Sequence, residues 1–396
     1  MKWFQYFTLL LVTSMIVSCR TSATLISDHI LKDPYLKQIA QDPQHEVQIL
    51  YTRIDKNTKK LTTFKFNINP DQYFYPASTV KMPVAILSLQ KINELNQKGL
   101  DINKDDIMMH AELSTLLKPA FSDTTTLDRK PRISRYVEKL FVVSDNDAFN
   151  RLYEWLGQDY INQSLHSIGI TDKSIINHRL ALSGLTQEDN KKTNNIRFFR
   201  NAQLLYNQPE MVAVYTWKHQ AKNAIKGLGF IDDRDSLVQS PFDFSHKNFY
   251  TIEDMDATLK RVIMPENFPK DQQFNLTSDD YIFLKKCMSD LPAKYAFYPS
   301  SEYYDSYVKF FMFGDSKASI PDHMKIYNKV GTAYGYLTDC AYIEDTKNNI
   351  SFFLTATIHV NKNNIYNDGA YEYDEVGLPF LAKLGQAFYN YELKMK

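Results

Sequence analysis

A serine hydroxyl becomes a useful nucleophile near neutral pH only when a neighbouring base can take its proton. Ser78 and Lys81 stand three residues apart in Tyr75-Pro76-Ala77-Ser78-Thr79-Val80-Lys81. Positions i and i+3 share one face of a helix, so the Lys81 amine can reach the Ser78 hydroxyl. The pattern S-x-x-K is short, and Ser88-Leu89-Gln90-Lys91 repeats it. The first copy sits at a strand-to-helix junction, where a hydroxyl can face a cleft. The second lies within a helix and reads more plainly as a solvated lysine beside a small residue.

Two further groups have suitable chemistry. Ser144-Asp145-Asn146 offers a hydroxyl and an amide at a corner between helices. Ser and Asp are also favoured helix caps, and one corner can cap a helix and face a cleft together. Lys329-Val330-Gly331-Thr332 ends a strand with a lysine, a glycine and a hydroxyl. Gly331 there would let a substrate lie close against the backbone, although a strand closing on a glycine turn is the plainer reading.

The elements holding these groups follow from periodicity. Glu46 to Ile54 and Leu61 to Ile68 read as a hairpin across a charged turn, with Val47, Ile49 and Tyr51 on one face. Ser78 to Leu95 has helical spacing, with Pro83 near the first turn. Arg132 to Leu156 reads as two helices meeting at Ser144-Asp145-Asn146, and another ends near Gly169. Lys325 to Val330, Gly335 to Ile343 and Ile350 to Val360 are β-rich, and a last helix spans about Leu378 to Leu393. Strands at both ends of the chain and helices between them predict an α+β fold, an α/β sandwich. Its antiparallel sheet is built from both termini and carries an inserted helical lobe.

The order S-x-x-K, S-D-N, K-x-G resembles the three signatures of class A β-lactamases and penicillin-binding proteins. The Tyr-Pro-Ala-Ser-Thr-Val-Lys context is similar to theirs. The resemblance implies a β-lactamase/transpeptidase-like fold with Ser78 as nucleophile, Lys81 as base and Ser144 as proton relay to the leaving nitrogen. It implies that Asn146 holds the acyl amide and ties to Lys81, that Lys329 and Thr332 receive the substrate carboxylate, and that Gly331 lies beside the substrate. The backbone N–H groups of Ser78 and Thr332 would form the oxyanion hole. Two departures stand out. Class A enzymes carry a water-activating Glu on a loop after S-D-N, and the matching stretch Asn177 to Gly184 holds no carboxylate. Glu188 is a candidate for a shifted base, though pairing with Arg or Lys is the favoured reading. The interval from Asn146 to Lys329 is also longer than a minimal β-lactamase needs.

The chain has 396 residues with 46 Lys plus Arg against 46 Asp plus Glu, so no net field gathers nucleic acid. No clustered His/Cys or HExxH pattern suggests a metal, and the expected chemistry requires no cofactor. Met1-Lys2 and the apolar run to Val17 fit a secretory signal, too short for a comfortable span. The run closes on Ile16-Val17-Ser18-Cys19, similar to a bacterial lipobox. Residues 1–18 are thus expected as signal, Cys19 as the lipidation site and membrane anchor, and 19–32 as a tether. The remaining domain, 33–396, divides into a sheet lobe (about 33–75 and 325–396) and a helical lobe (about 76–324). Within the latter, about 200–320 reads as an insertion that elaborates the lobe, in preference to a lid or a protein-contact surface. Cys287 and Cys340 read as two buried thiols in preference to a disulfide.

The expected function is a serine acyl-enzyme hydrolase of the class A β-lactamase type, acting on a β-lactam or related amide in the bacterial cell envelope. A cell-wall D,D-peptidase or transpeptidase with slow deacylation, and a non-catalytic peptidoglycan-binding lipoprotein, are the alternatives.

Overall fold

The computed structural model describes residues 25–111 and 118–395. The expected signal segment and Cys19 lie outside the described residues. Strands β1 (Gln48–Ile54) and β2 (Leu61–Phe66) come from the start of the domain. Strands β3 (Met324–Ala333), β4 (Tyr336–Asp345) and β5 (Ile350–His359) come from its end. They form one antiparallel sheet in the order β3-β4-β5-β1-β2, joined where Gln48 to Arg53 pair with Thr357 to Phe352.

Alternation along each strand feeds a different core on each face. On β1, Val47, Ile49 and Tyr51 face one core, while Leu50 and Ile54 face the other. The first core is closed by helices α1 (Pro34–Gln41) and α8 (Leu378–Lys394). The segment Ile26–Ile30 joins it, with Ile26 and Ile30 buried there. The expected tether of 19–32 is therefore too long at its C-terminal end. Ordered packing begins before Asp33 because Ile26, Ile30 and Leu31 have an apolar face to cover.

The second core belongs to the helical lobe. Helix α2 (Lys81–Gln97) runs through its centre, and α3 (Ile133–Val142), α4 (Asn146–Leu156) and α5 (Gln158–Ser167) surround it. Helices α6 (Ile252–Ile263) and α7 (Ser278–Ser289) pack between that lobe and the sheet. Cys287 and Cys340 are free and buried in this core, as expected.

The expected elaboration of the helical lobe over about 200–320 needs correction. From Gln203 to Asp243 the chain is largely β-structured, with Gln203–Gln208 followed by short strands of three small sheets, the first pairing Met211–Val212 with Lys192–Thr193. Ile225–Lys226 pairs with Phe242–Asp243. Gly229–Ile231 pairs with Leu237–Val238 on one side and with Ile365–Tyr366 on the other. This finger leans on the β5–α8 connection. Strands of two or three residues carry no readable period, and their partner is remote in sequence.

Candidate active site

Ser78 lies in a short 3-10 turn, Ala77–Val80, that runs directly into α2. The turn begins at Ala77 with φ of 46°, left-handed for a non-glycine residue. Such a conformation persists only where surrounding contacts hold it. Here Thr79 donates both its amide and its hydroxyl to the Pro76 carbonyl, at 3.1 and 2.7 Å.

Lys81 is fully buried one helical turn below. Its amine donates to Asn146 Oδ1 at 2.7 Å, to Ser144 Oγ at 3.3 Å, and to the Ser144 carbonyl. Those acceptors sit at the α3–α4 corner. Asp145 caps α4 by accepting from the Ala148 amide at 2.7 Å, and Ser144 turns the chain with φ of 57°. Asp145 thus caps a helix while its neighbours Ser144 and Asn146 meet Lys81.

Lys329 arrives from the edge strand β3. Strand alternation turns it to the helical-lobe face beside Cys340, and turns Val330 into the opposite core. Its amine donates to Ser144 Oγ and to the Val330 carbonyl, each at 2.9 Å. Burial lowers the Lys81 amine to about 7, against the pull of Asp145. Lys329 is lowered well below the usual lysine value too, by burial and then by Lys81. Two amines on one hydroxyl titrate as a pair, and both carrying a proton at once is disfavoured. Sharing Ser144 as acceptor leaves its own proton to point elsewhere.

Gly331 also makes room within the fold. A Cβ there would lie 2.5 Å from the Pro76 carbonyl and 3.1 Å from the Ser78 nitrogen. The absent side chain makes room for the nucleophile turn, so Gly331 positions Ser78. Thr332, the next residue, is exposed in the cleft and supplies the hydroxyl on this stretch of strand.

Ser78, Asn146 and Thr332 line one cleft of about 410 Å³. The sequence reading missed the rest of its wall, which includes Tyr75, Leu180, Ala181, Tyr334, Asn367 and Tyr371. Tyr334 lies two residues beyond Thr332 of the K-x-G-T stretch, which was a signal. Tyr371 had none, since it comes from the connection after β5. No Asp, Glu, His, Lys or Arg lines this cleft among the described residues. Leu180 is clamped to α4, donating its amide to Asn150 Oδ1 and accepting from Asn150 Nδ2, both at 2.9 Å. Glu188 stands away from the cleft, 71% exposed, and pairs with Lys191 at 2.8 Å.

The second S-x-x-K copy has no access to the cleft. Ser88 is buried and donates to the Val84 carbonyl at 2.8 Å. Lys91, expected in solvent, instead donates to Gln208 Oε1 at 2.7 Å and lies 4.1 Å over the Trp155 ring. The strand Gln203–Gln208 covers it. No cluster of three or more His, Cys, Asp or Glu with metal-binding geometry occurs among the described residues.

The S-x-x-K serine thus lies under an edge strand, with two lysines meeting at the S-D-N hydroxyl. Residues 33–212 match the profile of the Beta-lactamase enzyme family. Solved structures with this fold include a β-lactamase from Desulfarculus baarsii, at 12% identity and TM-score 0.51 over 90% of this chain and 96% of that one. A β-lactamase from Xanthomonas campestris aligns at 14% identity and TM-score 0.50, over 90% and 96%. The carbapenemase VCC-1 from Vibrio cholerae aligns at 16% and 0.50, over 90% and 99%. Comparison with curated proteins gives no match. The chain thus has the β-lactamase fold, and its first half matches the family's profile.

Proposed function

We propose that the protein is a penicillin-recognising acyl-enzyme former that releases its acyl group slowly, as a D,D-peptidase or transpeptidase does. In the proposed cycle Ser78 Oγ attacks the substrate carbonyl while neutral Lys81 takes its proton. Ser144 gives its proton to the departing nitrogen and is resupplied from the lysine pair. The backbone N–H groups of Ser78 and Thr332 hold the oxyanion, an interaction worth roughly 3 kcal/mol per donor in comparable hydrolases. The observation carrying slow release is the cleft wall, where Leu180 and Ala181 stand, among the described residues, without a carboxylate or imidazole to activate water.

Turnover of β-lactams is the second reading, favoured by the class A likeness of the fold. The binding-only reading leaves the convergence of Lys81 and Lys329 on Ser144 without a purpose. Intact mass after exposure to benzylpenicillin separates the three. A lasting adduct, absent in Ser78→Ala, is the expected result. Rapid hydrolysis without accumulation would replace it with the β-lactamase reading, and neither outcome would leave a binding protein.

We propose further that Cys19 carries the lipid anchor, which holds the domain at the envelope surface without a spanning helix. Support comes from the lipobox-like Ile16-Val17-Ser18-Cys19. Among the described residues no helix is long and apolar enough to cross a membrane. Fractionated cells should hold the wild type in the membrane pellet and release Cys19→Ala; equal partition of both would reject the anchor.

A further inference from the structure

An acyl group esterified to Ser78 has to lie in the cleft that Ser78 lines, so the wall of that cleft selects it. Three tyrosines from separate parts of the chain dominate this wall: Tyr75 before the nucleophile turn, Tyr334 at the β3–β4 turn, and Tyr371 after β5. Their rings are fixed from behind. Tyr75 and Tyr334 meet edge to face, centroids 5.0 Å apart. Phe242 and Phe244, from the β finger, each pack on Tyr334 at 5.4 Å. Tyr371 packs on Tyr373 at 5.2 Å, and its hydroxyl accepts the Asn367 amide at 2.6 Å. Tyr373 in turn accepts the Gly335 amide at 2.8 Å, which ties the β5–α8 connection to the β3–β4 turn.

Among the described residues the wall is also uncharged. Burial raises the hydroxyls of Tyr75, Tyr334 and Tyr371, so all three stay neutral at physiological pH. The cations nearest the reaction, Lys81 and Lys329, are buried and have committed their bonds to Ser144, Asn146 and backbone carbonyls. The cation near the wall, Lys247, lies on the rings of Phe242 and Tyr334 at 5.5 and 5.7 Å, outside the cleft lining. A charged acyl side chain placed here would lose water and gain no partner, whereas a planar apolar one would gain ring contact.

We propose that this enzyme selects acyl donors whose acyl side chain is uncharged and aromatic or apolar, with Tyr334 and Tyr371 as the selecting residues. The proposal rests on Ser78 acylation as set out above and adds the substrate class. Ring contact and the exclusion of charge are separate effects, so both need a probe.

The test uses benzylpenicillin, its α-carboxy analogue carbenicillin, and the methyl ester of that side-chain carboxylate, which keeps the bulk without the charge. Second-order acylation of Ser78 is followed by intact mass. Benzylpenicillin and the ester are expected to acylate at least tenfold faster than carbenicillin. Tyr371→Arg, which offers the carboxylate a partner, should narrow that ratio at least threefold. Equal rates for carbenicillin and benzylpenicillin would overturn the substrate class while leaving the acyl-enzyme intact. An unchanged ratio in both Tyr371→Arg and Tyr334→Arg would remove these residues as its source. Absence of any adduct with all three probes would instead strike the underlying acylation.

Discussion

Lys81 and Lys329 share one hydrogen-bond acceptor, donating to Ser144 Oγ at 3.3 and 2.9 Å. Three separate pieces of chain, α2, the α3–α4 corner and the edge strand β3, thus meet at one oxygen. With two N–H donors on its lone pairs, the Ser144 hydroxyl has its proton left for a third partner. That geometry suits delivery of a proton to a leaving nitrogen. Ser144→Ala should therefore slow acylation by about 100-fold, within the usual range for a positioned acid–base group. Substrate affinity should change far less. Stopped-flow acylation over a range of penicillin concentrations separates the two, and a purely affinity-driven loss would contradict the relay.

The charge of Lys81 sets a pH dependence. Its amine is lowered to about 7 by burial, and only the neutral form can take the Ser78 proton. Acylation should rise as pH increases toward 7, close to tenfold per unit well below it, and level off above. Lys81→Arg should be inactive throughout, since a guanidinium does not deprotonate in this range. A flat profile between pH 5.5 and 7.5 would exclude Lys81 as the base.

Gly331 gives a structural test of the same site. A methyl there meets the Pro76 carbonyl at 2.5 Å, closer than any relaxed contact, and the obstacle is backbone. Gly331→Ala should push the Ala77–Val80 turn away from β3 and destabilise the fold by about 1–3 kcal/mol, as overpacking does. Acylation should fall with it, even under conditions where the variant is fully folded. Urea unfolding and the acylation rate, measured side by side, check both parts. A folded variant acylating at the wild-type rate would show that the close approach is unimportant.

What could be read from the sequence was whatever had a period or a fixed order. Tyr336–Asp345 and Ile350–His359 fell close to their expected spans because long strands buried on both faces are runs of β-branched and aromatic residues. The helices flanking Ser144-Asp145-Asn146 were legible from apolar spacing on either side of a capping residue. The pairing of Gly229–Ile231 with Ile365–Tyr366 was not, because it joins very short strands distant in the chain. The half-burial of Lys91, bonded to Gln208 at the end of Gln203–Gln208, escaped for the same reason. Gly331 was noticed, but not its place beside the nucleophile turn: sequence shows that a side chain is missing, and only packing shows what lies in the space.

The loop after the S-D-N corner offers a gain-of-function test. Ala181 lines the cleft with Ser78, and its neighbour Leu180 is held to Asn150 by two hydrogen bonds. Arg179 anchors the same loop from behind, donating to the Asp189 and Lys192 carbonyls at 3.2 and 2.6 Å and facing Glu154 at 3.4 Å. Position 181 is thus a fixed point on the cleft wall, with φ of 51° already accepted by a residue bearing a Cβ. A carboxylate placed there could hold and activate a water facing the acyl ester, a role that Glu188, away on the surface, does not fill. Ala181→Glu should shorten the acyl-enzyme lifetime by at least tenfold, with little change in the acylation rate. Glu188→Gln should leave both steps as they are. The decay of the penicilloyl adduct after excess drug is removed measures this directly. Equal lifetimes for wild type and Ala181→Glu would mean that water activation is not what the native wall lacks, and that slow release has another cause.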